Sequence, residues 1–223
     1  MGRKIEVRAI EVLEDLTATA RCDEGFLRLK RLRCQNVRED GSRSAEYRVD
    51  VVNRPKLDAV AVLLYRHSAD GLEVLTRTNL RPAAYFRAGR AMTVPDGRSH
   101  LWVEEIVAGL LEPEDQGEAG LRHRAAAEAF EEAGVKVSAE EVLLLGAPFF
   151  LAPGILSEKV FPTAVDVTGK QEDAPGGDGS PLEEGGRTRW WRAEALLAAC
   201  RSGEVQDAKT ELSLVRLFER LRG

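Results

Sequence analysis

The feature that most restricts the fold of this sequence is the run Ala59-Val60-Ala61-Val62-Leu63-Leu64-Tyr65. A half-buried strand alternates apolar and polar residues, whereas an unbroken apolar run of this kind suits a strand covered on both faces. The rest of the chain must therefore supply cover for two faces. Ala69-Asp70-Gly71 turns the run into a second strand, Leu72 to Thr78, and a third is expected from Leu101 to Val107, leading into a tight turn at Ala108-Gly109. Further strands are expected near Val142 to Leu145 and Val160 to Val167.

Helices are expected from about Leu121 to Ala133, with Gly134 as left-handed cap, and from Ala193 to Arg201, stopping at Gly203. The last starts at Asp207 as N-cap and carries Leu214, Val215, Phe218 and Leu221 on one stripe. Strands and helices alternate without regular βαβ spacing, which favours an α+β fold, a mixed sheet flanked by helices. Between Gly169 and Gly186 the sequence GKQEDAPGGDGSPLEEGG has almost nothing to bury and reads as a mobile surface loop.

Residues 1–55 read as a separate β-rich subdomain and residues 56–223 as the main domain. Ile5, Val7 and Ala9 alternate, as do Leu27 and Leu29, Leu32 and Cys34, then Tyr47, Val49 and Val51. Turns are expected at Asp23-Glu24-Gly25 and Glu39-Asp40-Gly41-Ser42, and Asn53-Arg54-Pro55 marks the boundary. No internal repeat, dinucleotide-binding glycine pattern or phosphate-loop motif is present.

The net charge of −5 argues against non-specific binding of nucleic acid. The apolar runs are too short or too interrupted to span a bilayer, and the N-terminal segment has no hydrophobic signal core. Cys22, Cys34 and Cys200 are few, scattered and odd in number, so neither a disulfide framework nor a zinc set is expected. These features fit a soluble protein of a reducing cytoplasm.

The chemistry concentrates in AAEAFEEAGV, Ala126 to Val135. On a helix Glu128, Glu131 and Glu132 share one face and repel one another by a few tenths of a kcal/mol per pair. An acidic solvated face is the ordinary explanation of such a cluster. Here alanines flank it, and Glu112 and Glu118 lie just upstream, so the carboxylates converge on one loop-helix unit after a buried strand. Hard divalent cations such as Mg²⁺ take oxygen ligands of this kind, together with substrate phosphates. A metal would convert the repulsion into binding.

The segment from Gly109 through Glu118 to Val135 resembles the Nudix box, Gly-x5-Glu-x7-Arg-Glu-apolar-x-Glu-Glu-x-Gly-apolar. The match runs without a gap from Glu128 to Val135. The loop before it is longer than the pattern, Glu118 is slipped in register, and Ala127 stands where the pattern has arginine. Other segments are similar, in order and spacing, to the ADP-ribose pyrophosphatase branch of the Nudix hydrolases. These are the buried run, then Asn79-Leu80-Arg81-Pro82-Ala83-Ala84-Tyr85, then Glu105 before Gly109. Ala152-Pro153-Gly154 with Ser157-Glu158, and Gly203-Glu204-Val205-Gln206-Asp207-Ala208-Lys209-Thr210, complete the likeness. It covers nearly the whole chain.

The resemblance implies a Nudix fold and a homodimer formed through the N-terminal strands. It further implies Mg²⁺-dependent (or Mn²⁺-dependent) hydrolysis of a nucleoside diphosphate sugar. Glu128 and Glu132 would ligate the metal with the carbonyl of Ala108, Glu118 as a weaker ligand and Glu131 assisting. Arg81 and Glu105 would bind substrate. The catalytic base would come from the late loop as Glu184, with Glu183 beside it. Arg124, one helical turn before Glu128, could take over the work of the missing arginine. The same departures leave a second possibility, a catalytically weak Nudix-fold protein that binds a nucleotide sugar as a sensor or regulator.

Overall fold

The computed structural model describes residue 21 and residues 24–177 and 179–222. The expected alternation at Ile5, Val7 and Ala9, together with Cys22 and Asp23, lies outside the described residues.

The apolar run forms β3 (Ala59–Ser68), and it is covered on both faces, as its composition demands. Alternation along the strand divides the cover. Ala61, Leu63 and Tyr65 join a core with α3 (Ala193–Ser202) and α4 (Ala208–Arg222). Val60, Val62 and Leu64 face the alanines Ala125, Ala129 and Ala133 of α2 (Gly117–Ala133). The result is a mixed sheet between α2 on one side and α3 with α4 on the other. β3 runs antiparallel to β4 (Gly71–Leu80) and parallel to β9 (Lys159–Asp166). β10 (Thr188–Arg192) closes one edge against β4, and β7 (Leu143–Leu144) and β8 (Phe149–Phe150) lie against β9.

The expected strand from Leu101 to Val107 is in fact two strands, β5 (Trp102–Glu105) and β6 (Val107–Leu110). β5 pairs with β4, and β6 pairs with β3. Ile106 is the crossing point, and its amide, which belongs to neither ladder, donates to Thr210 Oγ1 at 2.9 Å. β3 and β4 pair directly only from Tyr65 to Ser68 and then diverge, so the two short strands fill the fork between them. Consequently Ala108-Gly109 is not a tight turn but part of β6, opposite Ala61 and Val60. This fork is where the candidate site opens.

After the one-turn helix α1 (Pro82–Tyr85), α2 begins at Gly117, earlier than Leu121, because the turn 112–116 packs directly against its first turn. The backbone of Asp115 lies where a Cβ on Gly120 would stand. Gly134 caps the helix at φ 69°. α4 starts after Asp207, whose Oδ2 accepts from the Thr210 amide at 3.0 Å, the expected N-cap. Its buried stripe is Lys209, Thr210, Ser213, Leu214 and Leu217, rotated from the expected one. Leu221 is exposed, because the helix outruns the sheet it covers.

β1 (Arg28–Cys34) and β2 (Tyr47–Asn53) form a separate two-stranded ribbon, consistent with the alternation read there. It touches the main sheet region through the Val52 amide on the Ile155 carbonyl (2.8 Å) and through Arg54 on Glu158 (2.7 Å). Leu32 and Tyr47 remain 46% and 44% exposed. Among the described residues no helix is long and apolar enough to cross a membrane.

Candidate active site

A cleft of about 740 Å³ opens at the fork. Its floor is β6 (Ala108, Gly109, Leu110) with Asn79 and Arg81 from the end of β4, its acidic wall is α2, and the late loop closes one side with Ser180, Leu182 and Glu183.

The acidic wall is built by close approach. The Glu128 carboxylate lies over Gly109 so tightly that a Cβ there would sit 1.8 Å from its Oε1. Only glycine leaves the carboxylate that space. Glu132 accepts a hydrogen bond on Oε2 from the Ala108 amide at 3.1 Å. Burial pushes the Glu128 carboxyl up to about 8, reinforced by the charges of Glu132 and Glu131 and opposed by Arg124. Burial also raises Glu132, to about 7, against the pull of Arg77 and the Ala108 amide. Two neighbouring carboxylates, Glu128 buried and Glu132 nearly so, without enough positive charge form a site that favours a proton or a cation.

At the other end stands Glu105, more deeply buried still. Burial would raise it, but Lys209 and Arg81 overcome that and hold it at about 2. Arg81 Nε donates to Glu105 Oε1 at 2.7 Å, Asn79 Nδ2 donates to the same oxygen at 3.1 Å, and Lys209 Nζ bonds Oε2. Asp207 accepts from Lys209 at 2.9 Å. Arg54 and Lys56 line the same cleft, paired with Glu158 and Glu112 at 2.7 and 2.5 Å.

The cleft thus gathers Ala108, Glu128, Glu131 and Glu132 with Arg81, Glu105 and Arg124. Two of the expected residues are placed differently, and a third, Arg124, lies within reach of Glu128 as expected but has a shorter partner. Glu118 turns outward, 62% exposed, and pairs with Arg122 at 2.6 Å; its slipped register carries it off the cleft side of the helix. Glu184 is exposed and does not line the cleft, whereas Glu183 does, because the short turn Pro181–Glu183 directs Glu183 inward. Arg124 spends its Nε on Asp115 at 2.8 Å and stands 4.0 Å from Glu128. Its first task is to fix the turn before α2, where Asp115 also accepts from the Glu112 amide.

Sequence reasoning missed Arg77 and Lys209 as site residues. Arg77 is buried on β4, 3.0 Å from Glu132 and 3.3 Å from Glu183. A signal existed: Thr76-Arg77-Thr78-Asn79 is an unbroken polar run, with one charge in it, near the end of a strand that pairs with the buried apolar run.

Among the described residues no group of three or more His, Cys, Asp or Glu side chains stands ready to hold a metal. The donor set nevertheless fits Mg²⁺, which is commonly bound by one or two carboxylates, with phosphate oxygens and waters completing its shell. No family model matches the chain, and no curated protein matches it.

Proposed function

We propose that this chain is a Mg²⁺-dependent pyrophosphohydrolase with a Nudix fold, of the ADP-ribose pyrophosphatase type. It cleaves the diphosphate of a nucleoside diphosphate sugar to a nucleoside monophosphate and a sugar phosphate. The observation that carries this reading is the cleft itself. Within it a pair of cation-seeking carboxylates, Glu128 and Glu132, faces a set of basic side chains suited to phosphates.

Glu128, Glu132 and the Ala108 carbonyl would hold the metal. When bound, Mg²⁺ offsets negative charge on the phosphate oxygens and makes a coordinated water more acidic. Arg81 and Lys209 face the cleft as donors to the anionic substrate, with Glu105 keeping both oriented. Glu183 is the base for the attacking water, with Glu131 assisting. Glu183 takes the proton as one O–H bond of water breaks and its oxygen bonds to phosphorus, while the bridging P–O bond breaks and its oxygen keeps the electron pair on the departing phosphate. Phe26, Leu151 and Leu182 at the rim offer apolar surface for a nucleobase. The exposed ribbon of β1 and β2 would pair two copies.

The decisive experiment offers ADP-ribose, other nucleotide sugars and dinucleoside polyphosphates with Mg²⁺ and then Mn²⁺, with Glu132→Gln as control. Turnover of at least one diphosphate, lost in Glu132→Gln, supports the reading; turnover equal in both proteins refutes the metal assignment.

A second reading is a sensor that binds a nucleotide sugar without efficient hydrolysis. It is favoured by Arg77, which already supplies Glu132 with a positive charge. A ligand-dependent rise in Tm without phosphate product would support it.

A further inference from the structure

Neither the metal ligands nor the substrate donors account for Arg77. Its side chain is 7% exposed and reaches from β4 to carboxylates at the edge of the cleft. Nη1 lies 3.0 Å from Glu132 Oε1 and 3.3 Å from Glu183 Oε1, so one cation meets a carboxylate of α2 and a carboxylate of the late loop. Nη1 has no hydrogen-bond partner of good geometry. The three groups are therefore held by charge, in a buried setting where charge acts strongly.

The loop is also tied down at both ends. The Asp173 amide donates to the Gly134 carbonyl at 3.0 Å and the Gly177 amide to the Glu131 carbonyl at 2.9 Å. At its far end the Arg187 amide donates to Thr78 Oγ1 at 3.0 Å, and the Thr78 amide donates to the Arg187 carbonyl at 2.9 Å. Between these ties Glu183 reaches inward to Arg77. Glu132, for its part, has one oxygen on the Ala108 amide and the other facing Arg77.

We propose that Arg77 is a positioning residue that clamps residues 179–187 onto α2 and sets the separation of Glu183 from Glu132. It orients the Glu132 carboxylate from β4, while position 127 of α2 itself holds only an alanine. A guanidinium suits this task, since it is long enough to reach both carboxylates from β4 and keeps its charge when buried, whereas a lysine is shorter and gives up its proton more readily there. The effect on rate rests on the pyrophosphohydrolase reading, whereas the clamp itself does not.

Arg77→Met and Arg77→Lys in the full chain test it, with hydrogen–deuterium exchange of residues 179–187 and steady-state kinetics on a nucleoside diphosphate sugar. We expect Arg77→Met to speed exchange of the loop amides by about tenfold or more. It should lower kcat by about tenfold while KM changes less than about threefold. Arg77→Lys should restore part of both. Unchanged loop exchange in a folded Arg77→Met protein overturns the clamp. Faster exchange with wild-type kcat overturns the positioning role and leaves only a structural tie. If Arg77→Met fails to fold, Arg77→Lys decides, and wild-type exchange together with wild-type kcat overturns the proposal. If the wild-type protein turns over no diphosphate, the pyrophosphohydrolase reading fails, and loop exchange alone then judges the clamp.

Discussion

Glu105 and Glu128 line the same cleft and Glu105 is the more deeply buried, yet they titrate in opposite directions. In both, burial is the largest influence and pushes the carboxyl upward. Glu105 has Arg81 and Lys209 in contact and is held at about 2, while Glu128 has only Arg124, at 4.0 Å, and rises to about 8. Burial alone therefore does not define a functional carboxylate; the supply of countercharge does. One end of the cleft is a finished ion-pair network. The other is short of positive charge and is the place for a cation to bind.

The strongest way to break this comparison is to remove the finished network. Glu105→Gln leaves the buried Lys209 without its carboxylate partner on β5 and frees the partly exposed Arg81, and should cost about 3 kcal/mol of folding stability in denaturant titration. A loss near zero would show that Asp207 alone satisfies Lys209.

The matching change at the other end should act on function instead. Glu128→Gln should lower Mg²⁺-dependent turnover by about a hundredfold or more, equivalent to roughly 2.7 kcal/mol. In the metal-free protein at pH 8 it should leave stability unchanged or raise it by about 1 kcal/mol, since a repelled charge is removed. Marked destabilisation would mean that Glu128 is a structural carboxylate.

The pH response sharpens the contrast. Glu105 is depressed from its ordinary 4.5, so its contribution is present above that value and is lost as pH falls toward 2. Glu128 and Glu132 are raised, so the folded state holds protons the unfolded chain releases. Stability from them is full below 4.5 and is lost as pH rises through 7 and 8. Added Mg²⁺ should therefore raise Tm by several degrees at pH 8 and by much less at pH 5.5. Equal shifts at the two pH values would place the metal elsewhere.

The smallest effect is expected at Arg124. Arg124→Ala should change kcat less than about threefold while costing about 1–2 kcal/mol, because its short contact is with Asp115 and not with Glu128. A tenfold loss of kcat would restore Arg124 as the orienting arginine.

Much of this was legible in the residues. Ala59 to Tyr65 announced a strand buried on both faces, Gly134 and Gly203 marked the ends of their helices, and the helical spacing of Glu128 and Glu132 put both on the cleft. What stayed hidden depended on partners distant in sequence. The break at Ile106 exists because Thr210 takes its amide, which no local pattern records. The choice between Glu183 and Glu184 was decided by a single turn, and the role of Arg77 by two carboxylates on other elements. The rotated stripe of α4 reflects which side of that helix the sheet reaches.

The parallel pairing of β3 with β9 has a consequence for how the protein is made. Ala59 meets Val160 and Tyr65 meets Asp166, so the central strand waits for a neighbour roughly a hundred residues later in translation. Until that partner leaves the ribosome, the most apolar segment of the chain has one edge unpaired, and it carries the composition of an aggregation-prone strand. Hairpin pairing with β4 can form early, but completion of the sheet cannot. Yield in expression should therefore depend on elongation rate and on chaperone supply more than on the stability of the finished fold.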